Sequence, residues 1–219
     1  MIKPLAWSFS SLNDFQNCPL AFKLKRVTKE CPVIESEAMR YGTECHLHLE
    51  NRVAKKTPLP DHLSWMDGTI RKLEDSGGKL IAEQKVALTK GLGPTTFFAK
   101  DVWVRGIKDL TVRYGDRSIV LDYKSGKRKF DHEQLMLFAG FEMADRPFIG
   151  EVATGYVWLK DKAVDSKTYT RDDLPTIWGH FMPKVEKLEK AYANDDWPAK
   201  PSGLCGWCSA NTTQCKHAK

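Results

Sequence analysis

The chain has 219 residues, of which 42% are hydrophobic and 11% aromatic. This composition excludes a disordered chain, and the length suits one domain with an ample core. The net charge of +6 and the pI near 8.9 are compatible with a polyanionic partner but do not require one.

The first residues and the cysteines indicate the compartment. Residues 1–11 contain no long apolar run, so neither a signal peptide nor a membrane span is predicted. Six cysteines without a secretion signal are typical of a reducing compartment, where clustered thiols more often bind metal than form disulfides. We therefore expect a cytoplasmic protein.

Helices are predicted in the first third of the chain. A serine at position 10 or 11 can cap a helix to about residue 27, which Pro19 breaks or restarts. A second helix over residues 36–55 and a short one over 63–74 follow. Residues at the spacing of one buried face support the longer helix: Met39, Gly42, His46, Leu49 and Val53.

Strands are predicted next. Residues 79–88 read as a strand that places Glu83 and Lys85 on one side. Residues 91–94 are a Gly- and Pro-rich turn, and residues 96–105 are predicted to continue as a strand into a hairpin.

The hairpin comprises residues 107–114 and 117–124, which are rich in β-branched and apolar residues. Gly115-Asp116 is a suitable two-residue loop, so residues whose numbers sum to 231 should pair. Asp109 should then lie across from Asp122, with their Cβ atoms about 5 Å apart.

Two faces follow from this register. Lys124 lies two residues beyond Asp122 and should point to the same side. The opposite face carries the apolar pairs Leu110 with Leu121 and Val112 with Ile119. Two acids and a lysine should therefore line one face, with an apolar layer beneath.

The rest of the chain completes an α/β pattern. A helix over residues 131–144, a strand over 152–160, an edge strand over 168–170 and a last helix over about 172–194 are predicted. The segment from residue 197 onward is rich in Pro, Gly and Cys and has no period. The pattern fits a restriction-endonuclease-like α/β core, a central mixed β-sheet flanked by helices, in one domain over residues 1–219.

Facing carboxylates repel each other unless a cation lies between them or one keeps its proton. Hard oxygen ligands suit Mg²⁺ or Mn²⁺, which can polarise a phosphodiester and supply an attacking hydroxide. A lysine nearby can orient the water or stabilise negative charge. The alternative is a set of solvated charges on a hairpin.

Seven short motifs along the chain decide between these readings, because together they resemble the RecB-type nucleases of the PD-(D/E)xK superfamily. In order they are Ser10-Ser11-Leu12-x2-Phe15-x2-Cys18-Pro19-x2-Phe22, Gly42-x3-His46, Glu83, Gly106-x2-Asp109, Asp122-x-Lys124, Gln134-x3-Phe138 and Cys205-x2-Cys208-x6-Cys215. The resemblance implies a divalent-metal-dependent DNA nuclease. Its four-cysteine branch, which includes CRISPR adaptation nucleases and AddB-type subunits, also carries a 4Fe–4S cluster. A phage exonuclease of this kind is a further possibility.

The resemblance implies a Mg²⁺ or Mn²⁺ site. His46, Asp109 and Asp122 would be ligands, joined by the backbone carbonyl of Tyr123. Glu83 either completes the acidic cluster or is a simple strand-face glutamate.

Lys124 would orient the water, and Gln134 would order the site and contact DNA. Asp131-x-x-Gln134 also reads as a helix capping box. Phe138 stands where the family has tyrosine, so the hydroxyl is lost. The basic turn Lys127-Arg128-Lys129 is either a DNA-backbone contact or a solvated loop.

The terminal cysteines would bind the cluster. Cys205, Cys208 and Cys215 need a fourth ligand, and the family pairs such a triplet with an N-terminal Cys-Pro, here Cys18. Residues 1–30 and 197–219 would then form a clasp around the cluster. Zn²⁺ is the alternative, with His217 as a local fourth ligand. Cys31 and Cys45 are most simply non-ligand cysteines, with Cys31-Pro32 as an alternative to Cys18-Pro19.

The sequence therefore predicts a metal-dependent deoxyribonuclease, either an exonuclease or a flap-trimming enzyme. Alternatives are a catalytically silent DNA-binding or assembly subunit and an endonuclease within a complex. The partner is DNA, with a helicase, recombinase or other complex subunit as a further possibility, and no membrane partner is expected.

Overall fold

The structure, a computed structural model, describes residues 6–31, 35–129 and 131–218. It contains two compact units. One consists of the described residues up to Glu35 and from Trp178 onward, and the other is Ser36–Ile177.

A five-stranded sheet lies in the unit Ser36–Ile177. Its strands run in the order β1-β2-β3-β4-β5, and only β3 and β4 are parallel. Their bounds are β1 Lys79–Leu88, β2 Val104–Arg113, β3 Arg117–Lys124, β4 Glu151–Trp158 and β5 Ala163–Thr170. The predicted mixed sheet of an α/β fold is thus confirmed.

Two strand predictions need correction. The strand predicted over residues 96–105 is wrong, because β2 begins only at Val104 and a hydrogen-bonded loop precedes it. The edge strand is longer than residues 168–170, since β5 pairs with β4 from Ala163 onward. Its exposed polar side chains hide its period from sequence inspection.

Helices cover both faces of the sheet. On one face lie α3 (Glu37–Lys55) and α4 (Trp65–Asp75), which pack on the predicted apolar pairs of the hairpin. On the other lies α5 (Glu133–Asp145), whose Glu142 contacts β2 and β3. Met39, expected on the buried face of α3, is 48% exposed, because α3 has only begun at Glu37.

The predicted hairpin register is confirmed over most of its length. The ladder runs from Leu110 opposite Leu121 to Arg113 opposite Ser118, and each of these pairs sums to 231. The ladder ends at Leu110, so Asp109 and Asp122 are not one of its pairs.

Short helices and α6 make up the other unit. The predicted helix over residues 10–27 is three segments, α1 (Phe9–Asn17), α2 (Pro19–Phe22) and a π-helical turn (Lys23–Val27). Ser8, not Ser10 or Ser11, caps α1 in a capping box with Ser11. The last helix, α6 (Leu174–Asn194), begins in the sheet-containing unit.

None of the helices in the described ranges is both long enough and apolar enough to cross a lipid bilayer.

Candidate metal centre

Three side chains converge beside the point where the β2–β3 ladder ends. His46 Nδ1 lies 3.4 Å from Asp109 Oδ1 and 3.9 Å from Glu83 Oε1. One ligand atom from each residue lies within 4.8 Å of the other two. Within the described parts of the chain, this trio is the only such group of three His, Cys, Asp or Glu ligands.

The helix α3 can bring His46 to the sheet because Gly42 has no side chain. A Cβ at Gly42 would lie 2.9 Å from Ser125 Oγ, closer than ordinary van der Waals contact. The Gly42-x3-His46 motif therefore combines a close approach of the helix with a candidate ligand one turn later.

Glu83 reaches the trio through unusual backbone geometry. Its φ is +47° in the middle of β1, a left-handed conformation that is costly for a non-glycine residue. The pairs on either side, Ala82 with Leu110 and Gln84 with Lys108, keep one register. Glu83 therefore stands opposite Asp109 where the regular pairing is interrupted, and the strain is stored at the candidate site.

Where the β2–β3 ladder has ended, the backbone of Tyr123 pairs with side chains instead of with the opposite strand. The Tyr123 N–H donates to Asp109 Oδ2 at 2.6 Å, and the Tyr123 carbonyl lies 3.0 Å from His46 Nε2. If Nε2 carries the proton of a neutral imidazole, the lone pair on Nδ1 faces the two carboxylates. Three electron-rich atoms then point at one another, which is the arrangement that a cation relieves.

A second group adjoins the first across β3. Lys124 Nζ lies 2.5 Å from Asp122 Oδ2 and donates to Gln134 Oε1 at 2.8 Å. Gln134 Nε2 donates to Asp122 Oδ1 at 2.9 Å. The capping-box alternative for Gln134 is wrong, because its side chain holds both sheet residues and His132 occupies the N-cap without a capping bond.

The structure thus divides the predicted site residues between the two helix layers. Asp109 contacts His46 of α3, whereas Asp122 contacts Gln134 of α5. The two acids remain electrostatically coupled. Burial and then the charge of Asp109 raise the pKa of Asp122 to about 7, against the opposing effect of Lys124. Shared ligation of one ion by Asp109 and Asp122 stays a prediction.

The other titratable members of the centre show the same concentration of negative charge. Burial lowers the pKa of His46, but the hydrogen bond to Asp109 and the surrounding acids outweigh it, so the pKa is raised. Burial and the charge of Asp109 raise the pKa of Glu83. Each shift shows that the centre favours an added positive charge, either a proton or a metal ion.

The donor set fits a hard divalent cation. One imidazole nitrogen and two carboxylates are available in the trio, and a backbone carbonyl lies beside them. Such ligands suit Mg²⁺ and, with the imidazole, Mn²⁺.

Other predicted site residues have partners of their own. Arg128 donates to both carboxylate oxygens of Asp165, so its guanidinium is committed within the protein. Lys127 and Lys129 are exposed. Phe138 is 2% exposed and packs against Gly106, so this residue belongs to the core.

Sequence inspection missed the aromatic partner of Lys124. Tyr156 stands opposite Asp122 in the parallel β3–β4 pair, and the ammonium of Lys124 lies 5.1 Å from its ring centroid. A tyrosine in a buried parallel strand gives no local signal, since its relation to Lys124 depends on the register between distant strands.

The four predicted cysteine ligands all lie in the unit that contains the chain ends. Backbone N–H groups donate to two of the sulfurs, from Lys200 to Cys18 and from Ser202 to Cys205, each at 3.4 Å. Cys208 and Cys215 pack against the small apolar cluster that contains buried Cys31.

Comparison with known proteins identifies the family to which this fold belongs. Residues 6–215 match the family model of the PD-(D/E)XK nuclease superfamily. The chain therefore belongs to this superfamily.

Among solved structures, "Putative exonuclease" from Eubacterium rectale is similar, with a TM-score of 0.55 and 11% identity over 93% of this chain and 86% of that one. The protein named SSO0001 is similar with a TM-score of 0.49 and 14% identity, over 95% of this chain and 85% of that one. No curated protein gives a match.

Proposed function

We propose that the chain is a divalent-metal-dependent deoxyribonuclease, most simply an exonuclease. The convergence of His46, Glu83 and Asp109 within 4.8 Å carries the proposal, in a chain of a nuclease superfamily. The exonuclease assignment draws further support from the name of the similar Eubacterium rectale protein.

His46, Glu83 and Asp109 would hold the ion, with Asp122 and the carbonyl of Tyr123 as neighbouring oxygen donors. Bound Mg²⁺ or Mn²⁺ supplies Lewis-acid polarisation of the phosphodiester and lowers the pKa of water. Glu83, from β1, would be a third protein ligand beside His46 and Asp109. The β2–β3 hairpin does not contain it.

The ammonium of Lys124 would orient the attacking water and stabilise the charge that develops on the phosphate. Its position is fixed by Asp122 and Gln134. Gln134 therefore acts by positioning Lys124, since its amide is occupied by these two side chains. Lys127 and Lys129 remain available to neutralise phosphates, whereas Arg128 would first have to leave Asp165.

We also propose that the chain belongs to the RecB-type iron–sulfur branch, with a 4Fe–4S cluster bound by Cys18, Cys205, Cys208 and Cys215. The spacing Cys205-x2-Cys208-x6-Cys215 together with the N-terminal Cys18-Pro19 supports this proposal, because the resembled branch combines the same two motifs. The two N–H···S bonds would stabilise the thiolates.

A digestion panel tests the nuclease proposal. The protein is incubated with end-labelled linear DNA and with closed circular single-stranded DNA, with and without Mn²⁺. We expect metal-dependent loss of the linear substrate and an intact circle. Cleavage of the circle would replace the exonuclease by an endonuclease, and binding without cleavage of any substrate would favour the catalytically silent subunit.

A further inference from the structure

The connection between β1 and β2 presents two phenylalanines at its surface. Phe97 and Phe98 occupy the central positions of a β-turn that is closed by a 3.0 Å hydrogen bond from the Ala99 N–H to the Thr96 carbonyl. Phe98 is 78% exposed and Phe97 is half-buried. The ring of Phe98 is therefore accessible to a partner from solvent.

The connection that carries the turn is held against β1 on both sides of the turn. The Thr95 N–H donates to the Ala87 carbonyl at 3.0 Å, and the Trp103 N–H donates to the Leu88 carbonyl at 2.9 Å. The two rings pack edge to face, with centroids 5.0 Å apart and an interplanar angle of 81°. One broad ring face is therefore offered in a fixed orientation.

Two cations accompany the rings. Lys85 Nζ lies 5.7 Å from the centroid of Phe98 and 5.8 Å from that of Phe97. Arg105 Cζ lies 5.2 Å from the centroid of Phe97. Aromatic faces combined with cations match a nucleic-acid strand whose bases are unpaired, because bases stack on the rings while lysine and arginine neutralise the phosphates.

The strand register connects this patch with the candidate metal centre. Lys85 pairs with Ile107 and Ala87 with Arg105, in the register that places Glu83 opposite Asp109. From Asp109 to Arg105 is four residues along β2, about 14 Å at a rise of ~3.4 Å per residue. About four nucleotides at the ~3.4 Å spacing of a stacked strand span that distance.

We propose that Phe97 and Phe98, with Lys85 and Arg105, form a stacking platform for the unpaired bases of a DNA strand that leads to the metal centre. The proposed stacking is argued from the geometry of the turn. Only the claim that the bound strand leads to the metal centre rests on the proposed nuclease function. The interior bases of a duplex would not use the ring face, because they are already stacked on both sides.

Binding without cleavage tests the platform. The affinity of the full chain for a fluorescein-labelled oligo-dT strand is measured by anisotropy, in buffer free of Mg²⁺ and Mn²⁺. An abasic strand of the same length and a duplex are measured in parallel. We expect Phe98→Ala to weaken oligo-dT binding about tenfold, the effect of one lost base stack, and to leave binding of the abasic strand unchanged.

Phe148→Ala is the matched control. This phenylalanine is 71% exposed and also carries a cation, Arg146, 4.9 Å from its centroid, but it follows α5, away from the β1–β2 connection. The control should bind all three DNAs as the unchanged protein does.

Three results would overturn the platform: unchanged oligo-dT affinity of Phe98→Ala, an equal loss on the abasic strand, or an equal loss in Phe148→Ala. A change of sedimentation state in Phe98→Ala with unaltered DNA affinity would assign the patch to self-association instead. Because no hydrolysis is measured, an inactive protein that passes this test would refute only the nuclease proposal.

Discussion

The carboxylate of Asp109 accepts the backbone N–H of Tyr123 at 2.6 Å, at the point where the β2–β3 ladder ends. One side chain thus has two roles. Its Oδ1 faces His46 in the candidate metal centre, and its Oδ2 satisfies a buried backbone donor of the neighbouring strand.

These two roles can be separated by substitution at Asp109. We expect both Asp109→Ala and Asp109→Asn to lose cleavage, because each removes the negative charge of a proposed metal ligand. Asp109→Ala should be the less stable of the two by about 1–3 kcal/mol, since only the alanine variant leaves the Tyr123 N–H without an acceptor. Urea unfolding of both variants measures the difference. Equal stabilities would show that the hydrogen bond contributes nothing.

Lys124 is expected to matter for the rate of cleavage. Lys124→Ala should lower kcat about 10²–10³-fold, the loss typical of one removed charge-stabilising donor. Lys167→Ala is the control, because Lys167 also lies 5.1 Å from a tyrosine ring centroid, that of Tyr169, but on the edge strand. Initial rates on linear DNA in Mn²⁺ compare the two. An unimpaired Lys124→Ala variant would remove the assigned role.

Glu83 can be tested by metal binding alone. Mn²⁺ should raise the melting temperature of the unchanged protein, because a ligand that binds only the folded state stabilises it. The rise should be smaller for Glu83→Gln and for His46→Ala. His48→Ala, on a different face of α3, should respond as the unchanged protein does. If Mn²⁺ raises the melting temperature of Glu83→Gln as much as that of the unchanged protein, Glu83 is a simple strand-face residue and not a ligand.

A buried ion pair between β2 and α5 is expected to contribute strongly to the free energy of unfolding. Lys108 and Glu142 are both 0% exposed and hydrogen-bonded, and Glu142 also accepts from Arg113. Glu142→Gln should destabilise the fold by about 3–5 kcal/mol, because it leaves a buried ammonium without its counter-charge. Asp145→Asn removes the more exposed partner of Arg113 and should cost about 1 kcal/mol or less.

The same pair predicts a dependence of stability on pH. Burial raises the pKa of Glu142, but the hydrogen bond from Arg113 and the charge of Lys108 outweigh it and lower the pKa to about 2, from an ordinary value of 4.5. A carboxylate whose pKa is lower in the folded state stabilises the fold fully above about pH 5 and loses that contribution as the pH falls towards 2. Urea unfolding between pH 2 and 7 should show this loss in the unchanged protein and a flatter profile in Glu142→Gln.

The hairpin register was predictable because its determinants are local. The alternation of apolar residues and the Gly115-Asp116 loop fix which residues pair, and a slip by one residue would have exposed Leu110. The trio was only partly predictable. His46 and Asp109 carry recognisable motifs, but Glu83 reaches them through a left-handed backbone conformation that no residue pattern in β1 announces.

Charge partners were the least predictable feature. Arg128 lies in a run of basic residues that indicates DNA contact, yet it pairs with Asp165, 37 positions away in the sequence. Likewise, Lys108 and Glu142 each look like a solvated charge among apolar neighbours until the packing of α5 on β2 brings them together. Long-range pairing of this kind depends on tertiary structure and leaves no periodic trace.

The cysteines give the last prediction. Anaerobically purified protein should be brown and contain iron and sulfide, and Cys18→Ala should lose both. Cys31→Ala is the comparison variant, because Cys31 packs in one apolar cluster with Cys208 and Cys215 but donates its thiol hydrogen to Gln214. Iron, sulfide and zinc analyses of the three proteins are compared. Colourless protein with one zinc per chain would replace the iron–sulfur cluster by a structural zinc site, and equal iron loss in both variants would show that Cys18 has no special role. If Cys18→Ala keeps its iron while Cys31→Ala loses it, Cys18 is not the fourth ligand. Four thiolates are needed to bind the four irons of the cluster, so another residue would then supply the fourth.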